Sequence, residues 1–297
     1  AAVRVDVKPG STYRYSGGGY TVMQLLMADV ANEPFESYMQ SKVFDVLGMK
    51  SSTFSQSPPA ALAACRASAH RPGGKRIPGK LHIYPEMAAA GLWTTPSDLA
   101  RYLLYVQAAV RGETGQLLTP ALAKELVTRQ NSGRHGLGPT VDEPGEFARF
   151  GHGGVDEGFE ADMVAYVGGG QGVVIMANSQ LSQMLFNEIE SSVARAYAWP
   201  GYKIEPQIEA QPITQSQLQR LPGKYQLNPR TMAMLNARDG RLFFDVVDFG
   251  PIEVFAKSAT ELFAPPLGPM TFQAVEADGK ITALKASNGR EFVRIYE

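Results

Sequence analysis

The chain has 297 residues, 44% of them hydrophobic and 19% charged, with a formal net charge of −1 from 28 Lys+Arg against 29 Asp+Glu. That is enough for one large domain or two smaller ones with real cores, and the near-neutral balance without a dense basic stretch excludes binding driven by neutralising nucleic-acid phosphates. No apolar run approaches the ~20 residues that cross a bilayer, and the single cysteine, Cys65, excludes an intramolecular disulfide.

Cys65 reads as a small packing residue. Ala1-Ala2-Val3-Arg4-Val5 is not a signal peptide, so the chain is expected to be cytoplasmic or trimmed from something longer. Lys8-Pro9-Gly10-Ser11 is a turn signal, and Gly17-Gly18-Gly19 predicts a sharp irregular turn ahead of a helix. That helix carries Tyr20, Met23, Gln24, Met27 and Val30 near one spacing, with Leu25 and Leu26 widening the apolar face, and ends at Asn32. Pro34 opens the next helix and Gly48 closes it. Prolines and glycines break residues 51–90 into a long irregular segment, which in a compact domain is usually functional or a wall of a site. Thr95-Pro96-Ser97-Asp98 then predicts an N-cap, a first helical residue and a carboxylate near the positive helix end. The helix runs to Gly112, and Thr119-Pro120 opens another.

Three strands joined by glycine turns are expected over 147–178, with a helix over 181–198 whose apolar face begins at Leu181. Residues 200–212 read as a proline-bearing linker between a first domain, 1–199, and a second, 213–297. In the second, eight short alternating runs are expected, from Gly223–Asn228 to Phe292–Tyr296 and including 241–247. The hairpin turns Asp239-Gly240, Asp278-Gly279 and Asn288-Gly289 between them predict a small antiparallel barrel.

The chain has no Gly-x-Ser-x-Gly elbow, no P-loop, no His-Glu-x-x-His and no complete Gly-x-Gly-x-x-Gly. His70, His82, His135 and His152 lack ligand spacing, so neither a metal nor any other cofactor is expected. Two constellations remain. Tyr15-Ser16-Gly17 can present a phenol to a cleft, where a nearby cation would lower its pKa and make it a general base. His152-Gly153-Gly154, at the end of the first predicted strand, can hydrogen-bond a substrate carbonyl or carboxylate, and its glycines admit a substrate backbone. Each has a plain alternative: an aromatic after a turn is usually core, and a lone histidine is usually a satisfied polar residue. Trp93 reads as packing under a helix start, Tyr84 as part of a surface loop, and Asp156, Glu157 and Glu160 as solvated turn carboxylates.

Taken together, Pro9-Gly10-Ser11-x-Tyr13-x-Tyr15-Ser16-Gly17-Gly18-Gly19-Tyr20, Val46-Leu47-Gly48-Met49, Gly91-Leu92-Trp93-Thr94-Thr95-Pro96-Ser97-Asp98, Gly151-His152-Gly153-Gly154 and Val173-Val174-Ile175-Met176-Ala177-Asn178 are more specific. Their order and spacing resemble the serine β-lactamase-related family of class C β-lactamases, DD-peptidases, esterases and D-aminopeptidases, over about 8–198. The tail resembles the lipocalin-like barrel appended to some members. The resemblance implies an α/β fold with an antiparallel sheet flanked by helices, plus an all-β barrel. It implies acyl-enzyme chemistry on an ester, amide or D-peptide, in which a Ser-x-x-Lys serine attacks, Tyr15 is the general base, and His152, Gly153 and Gly154 form the substrate-binding strand. Gly17 stands where the family has an asparagine and cannot supply its amide. The strand's oxyanion-hole N–H would come from Gly154 or Val155. Many relatives are exported, which implies a periplasmic or secreted protein.

No lysine of this chain stands three residues after a serine. The expectation is therefore a C-terminal part of a longer enzyme, with the sheet edge covered by the missing N-terminal segment or by another copy. Ser16 is the weak substitute nucleophile. The alternative to an enzyme is a non-catalytic binding or scaffold module derived from the family. In either case the partner is a small-molecule or peptide substrate or ligand, with no nucleic acid and no membrane span.

Overall fold

The computed structural model describes residues 4–5, 7–79, 81–131, 133–142, 145–180, 182–203, 208–228, 231–246, 250–267 and 270–296. Leu181, Val247 and residues 204–207 of the linker fall outside them. The chain divides into two compact units. The first comprises Ala1–Ala69, Ile77–Asn178 and Val193–Tyr202, and the second His70–Arg76, Ser179–Ser192 and Lys203–Glu297.

The first element, α1 (Gly17–Ala31), starts three residues earlier than Tyr20. Gly17, Gly18 and Gly19 are its first turn rather than an irregular turn. Ser16 is its N-cap, with Oγ accepting from the Gly19 N–H at 3.0 Å, and that bond offsets the poor helix propensity of glycine. Asn32 closes it in the left-handed conformation. The following helix is α2 (Phe35–Met39), a π-helical turn Gln40–Phe44 and α3 (Asp45–Leu47), ended by Gly48 at φ 67°. It buries Phe35 and Phe44 against Met49 and Phe54, with Met27 of α1 packed on them. The irregular segment holds α4 (Ala60–Cys65), the hairpin β1 (His70–Arg71) and β2 (Lys75–Arg76), and α5 (Met87–Ala90). Cys65 is exposed on α4, so it is not the packing residue expected of it.

Thr95 caps α6 (Pro96–Arg111) through Oγ1, and Thr119 caps α7 (Pro120–Leu126) in the same way. Asp98 does more than face the α6 dipole. Its carboxylate is 3% exposed and accepts from the Ser51 N–H, the Ser52 hydroxyl and Arg101. The sheet has four antiparallel strands in the order β3 (Thr140–Val141), β4 (Arg149–Asp156), β5 (Phe159–Tyr166) and β6 (Gly172–Ala177). The two-residue β3 adds to the three strands expected. On one face Phe150 and Ala165 pack with Leu103 and Val106 of α6. On the other, Tyr166 packs with Ala194 and Trp199. Gln107 of α6, 1% exposed, donates through Nε2 to the carbonyls of Tyr166 and Gly169 and so holds the glycine turn between β5 and β6.

The chain continues through α8 (Gln183–Ala196) to α9 (Gln215–Arg220), which opens with a capping box between Thr214 and Gln217. The second unit is dominated by a closed eight-stranded antiparallel barrel: β7 (Gly223–Asn228), β8 (Thr231–Arg238), β9 (Arg241–Val246), β10 (Gly250–Ala256), β11 (Glu261–Phe263), β12 (Thr271–Ala277), β13 (Lys280–Ala286) and β14 (Glu291–Ile295), with β14 returning to β7. Tyr225, Leu235, Leu242, Val254, Leu262 and Leu284 fill its core.

Candidate active site

Two local features place Tyr15. The Ser16 cap fixes where α1 begins, so the residue before the cap projects from the helix entrance, and Tyr15 is 65% exposed. The cap also occupies the Ser16 hydroxyl oxygen. Gln24, two turns into α1, clamps the neighbouring segment: its Nε2 donates to Pro85 O and its Oε1 accepts from the Ala88 N–H at 2.8 Å. A side chain added at Gly17 would meet only Ala89 Cβ, at 3.7 Å.

The strand β4 places His152. Alternation puts His152 on the same face as Phe150, which is 1% exposed in the core under α6. Phe150 anchors the strand, and two residues on His152 emerges half-buried opposite Met163 of β5. Gly151 lets the strands approach closely, because a Cβ there would lie 2.1 Å from Met163 O. Beyond it Gly153 and Gly154 are exposed, and a Cβ on Gly154 would touch nothing within 4 Å.

Tyr15 and His152, 137 residues apart, meet. Tyr15 Oη lies 3.5 Å from His152 Nε2 and the rings stack at 6.1 Å and 26°. His152 Nδ1 lies 2.5 Å from Gly153 O. A carbonyl only accepts, so Nδ1 carries the proton and Nε2 of the neutral ring is an acceptor facing the Tyr15 hydroxyl. Two further rings complete the cluster: Tyr13, which lies in the quoted tyrosine motif with no role assigned to it, and His135, which no sequence pattern singled out. Tyr13 Oη lies 2.6 Å from His135 Nδ1, and the His135 ring is 5.7 Å from Tyr15 and 6.0 Å from His152. Desolvation, then the nearby His152 and Arg134, push the His135 pKa below the usual histidine value. On the back of the strand pair, burial raises the Asp162 carboxyl above the ordinary range, opposed by the Met163 N–H and by His152.

Toward the β4–β5 turn the surroundings differ from the solvated carboxylates expected. Burial and then Glu86 raise the Asp156 pKa, Glu157 pairs with His82 at 2.7 Å, and the Glu157 N–H donates to Tyr84 Oη. Trp93 meets Phe159 edge-on at 5.8 Å, and the Arg66 guanidinium lies 5.4 Å over its ring. Among the described residues no cluster of three or more His, Cys, Asp or Glu side chains could hold a metal. No described helix is long and apolar enough to cross a membrane.

The beta-lactamase family model matches residues 1–197. No curated protein sequence matches the chain. Among solved structures, SurE aligns with TM-score 0.55 at 20% identity, over 97% of this chain and 70% of its own. The octameric penicillin-binding protein homologue from Pyrococcus abyssi aligns with TM-score 0.56 at 15% identity, over 96% and 66%. D-alanine carboxypeptidase AmpC from Burkholderia cenocepacia aligns with TM-score 0.51 at 18% identity, over 60% and 59%. These likenesses carry the fold. The chain therefore spans about two thirds of the length of the relatives it matches end to end. With the family model covering residues 1–197 of 297, this chain belongs to the beta-lactamase family.

Proposed function

We propose that this chain supplies the proton-transfer and substrate-binding parts of a serine hydrolase that acts through an acyl-enzyme on an ester, amide or D-peptide, and that the attacking serine comes from outside these 297 residues. The observation that carries the reading is the Tyr15 Oη to His152 Nε2 approach at 3.5 Å. With the imidazole accepting the phenol's proton, the Tyr15 oxygen keeps lone pairs that can take a proton from an attacking hydroxyl. As the new carbon–oxygen bond forms, that proton moves to Tyr15 and the phenol's own proton moves to His152. Collapse of the tetrahedral intermediate breaks the bond to the leaving group, which takes a proton back from the pair. Water repeats the sequence to release the acid. The exposed Gly153 and Gly154 leave room for a substrate backbone along β4.

Two features support a nucleophile carried on another segment. Val22, Leu25, Leu26 and Val30 share one stripe of α1 and are 58%, 63%, 60% and 79% exposed, while Met27 on the opposite side packs inward. A helix apolar on both sides is ordinarily covered on both. Among the described strands, β6 pairs only with β5 and leaves an open sheet edge.

The test expresses the chain joined to its upstream coding sequence, treats it with a fluorophosphonate and a labelled penicillin, and maps the modified residue by mass spectrometry. The expected result is one labelled serine outside residues 1–297. Labelling of Ser16, or of no serine, overturns the reading. The second outcome supports a non-catalytic binding module, which the lack of any Ser-x-x-Lys in the chain favours.

A further inference from the structure

His135 is held beside the site by the strand that carries His152. It forms a bridge with Thr140, and Thr140 starts β3, which pairs with β4. Thr140 Oγ1 also donates to Gly151 O at 2.8 Å, and the Gln130 N–H donates to His135 O at 2.8 Å. The backbone around His135 is thus fixed from both sides. Its ring makes a near-equilateral triangle with those of Tyr15 and His152, with sides of 5.7, 6.0 and 6.1 Å. Tyr13 stacks on it at 5.3 Å and 12°.

We propose that His135 is a positioning residue of this site: its neutral imidazole accepts the Tyr13 hydroxyl at Nδ1 and packs against Tyr15 and His152, setting those two rings in register for proton transfer. The proposal rests on the hydrolase reading for its use but not for its test. The Tyr13 bond is the link on which it depends. A neutral His135 with its proton on Nε2 leaves the Nδ1 lone pair for the Tyr13 O–H. Protonation turns Nδ1 into a donor and forces the Tyr13 hydroxyl to rotate. The charged and titratable groups around the ring favour the neutral form. Arg134 adjoins it, and the His152 ring lies 6.0 Å away, so a proton on either disfavours one on His135. The Tyr13 and Tyr15 rings face His135, and burial, then Tyr15 and Tyr13, raise the Tyr20 pKa. The Asp162 carboxyl interacts with His152, and burial, then His152 and Arg134, shift His135.

The experiment uses the 297-residue chain labelled with 13C and 15N at histidine and tyrosine. Nuclear Overhauser contacts between the Tyr15 and His152 rings are expected in the parent and lost in His135→Ala, with the rest of the spectrum dispersed. His135 is expected to titrate below the unperturbed 6.5. Tyr13→Phe, which keeps the stacked ring but removes the donor, should raise that midpoint by about half a unit, roughly threefold in proton affinity. His152→Gln should raise it too. Ring contacts that persist in His135→Ala, or a His135 midpoint unmoved by Tyr13→Phe, overturn the proposal. If His135→Ala does not fold, the Tyr13→Phe titration decides alone. A failure to label a serine in the completed enzyme would count against the hydrolase reading and leave these ring measurements standing.

Discussion

Asp98→Asn removes a charge at nearly constant shape from the junction between the start of α6 and Ser51–Ser52. Oδ2 of Asp98 accepts from the Ser51 N–H at 2.8 Å and the Ser52 hydroxyl at 2.9 Å, and Oδ1 accepts from Arg101 at 2.6 Å. An asparagine can keep its oxygen at the Oδ2 position, but its NH2 then faces the Arg101 donor. One charge-assisted bond is lost outright and two others become neutral. Charge-assisted bonds contribute about 1.5–3 kcal/mol and neutral ones about 0.5–1.5 kcal/mol, so one outright loss and two conversions sum to roughly 3.5–6 kcal/mol. Arg101 is 50% exposed and can turn to water, so its bond is discounted to about 0–1 kcal/mol and the expectation falls to about 2–4 kcal/mol. Both tryptophans, Trp93 and Trp199, lie in the first unit, so fluorescence-monitored urea unfolding reads that unit without the barrel. With a denaturant slope of about 2 kcal/mol/M, the midpoint should fall by about 1–2 M. A fall below about 0.25 M, which is roughly 0.5 kcal/mol at that slope, would refute the claim that the buried carboxylate organises this junction.

The same assay separates two glycines three residues apart. Gly151→Ala should destabilise by about 2–3 kcal/mol because its methyl meets the Met163 carbonyl, a close contact of the kind that overpacking produces. Gly154→Ala meets open space and should stay within about 0.5 kcal/mol of the parent. Asp156 has a raised carboxyl pKa, so between the ordinary value of 3.8 and its folded value the native state binds the extra proton. Its contribution is favourable below that window and is lost as pH rises through it. Asp156→Asn should therefore gain stability relative to the parent at pH 7 and not at pH 3, and equal gains at both would contradict the assignment. On α1, Leu26→Lys should leave the chain's own unfolding midpoint nearly unchanged, since Leu26 is 60% exposed. In the restored polypeptide it should lower stability by at least the roughly 1.5–3 kcal/mol of burying a leucine. Equal effects in both would show that nothing covers the stripe.

The barrel was legible because its turns are chemically forced. Asp239 and Gly240 at φ 50° and 74°, and Asp278 and Gly279 at 49° and 74°, take the left-handed pair of a tight hairpin, which few other dipeptides adopt. The helix caps at Thr95, Thr119, Asn32 and Gly48 were legible for the same local reason. The glycine run at 17–19 misled because a serine cap outweighed glycine's preference for irregular backbone. The two-residue β3 is too short to carry a period, and Cys65 is exposed because the short helix that bears it buries none of its residues. Of the site, Tyr15 and His152 came from motif resemblance, since no spacing rule links residues 137 apart. His135 carried no signal at all. Its place follows from the bridge to Thr140 and the register of β3 on β4, which only the folded chain specifies.

The most direct test of the central claim is the rate at which a fluorophosphonate modifies the serine of the restored polypeptide, measured for the parent and for Tyr15→Phe. If Tyr15 opposite His152 manages the proton of an attacking serine, the variant should fold with the parent's fluorescence and label about 10²–10⁴-fold more slowly, the usual contribution of a positioned general base. A folded Tyr15→Phe protein that labels at the parent's rate would contradict it.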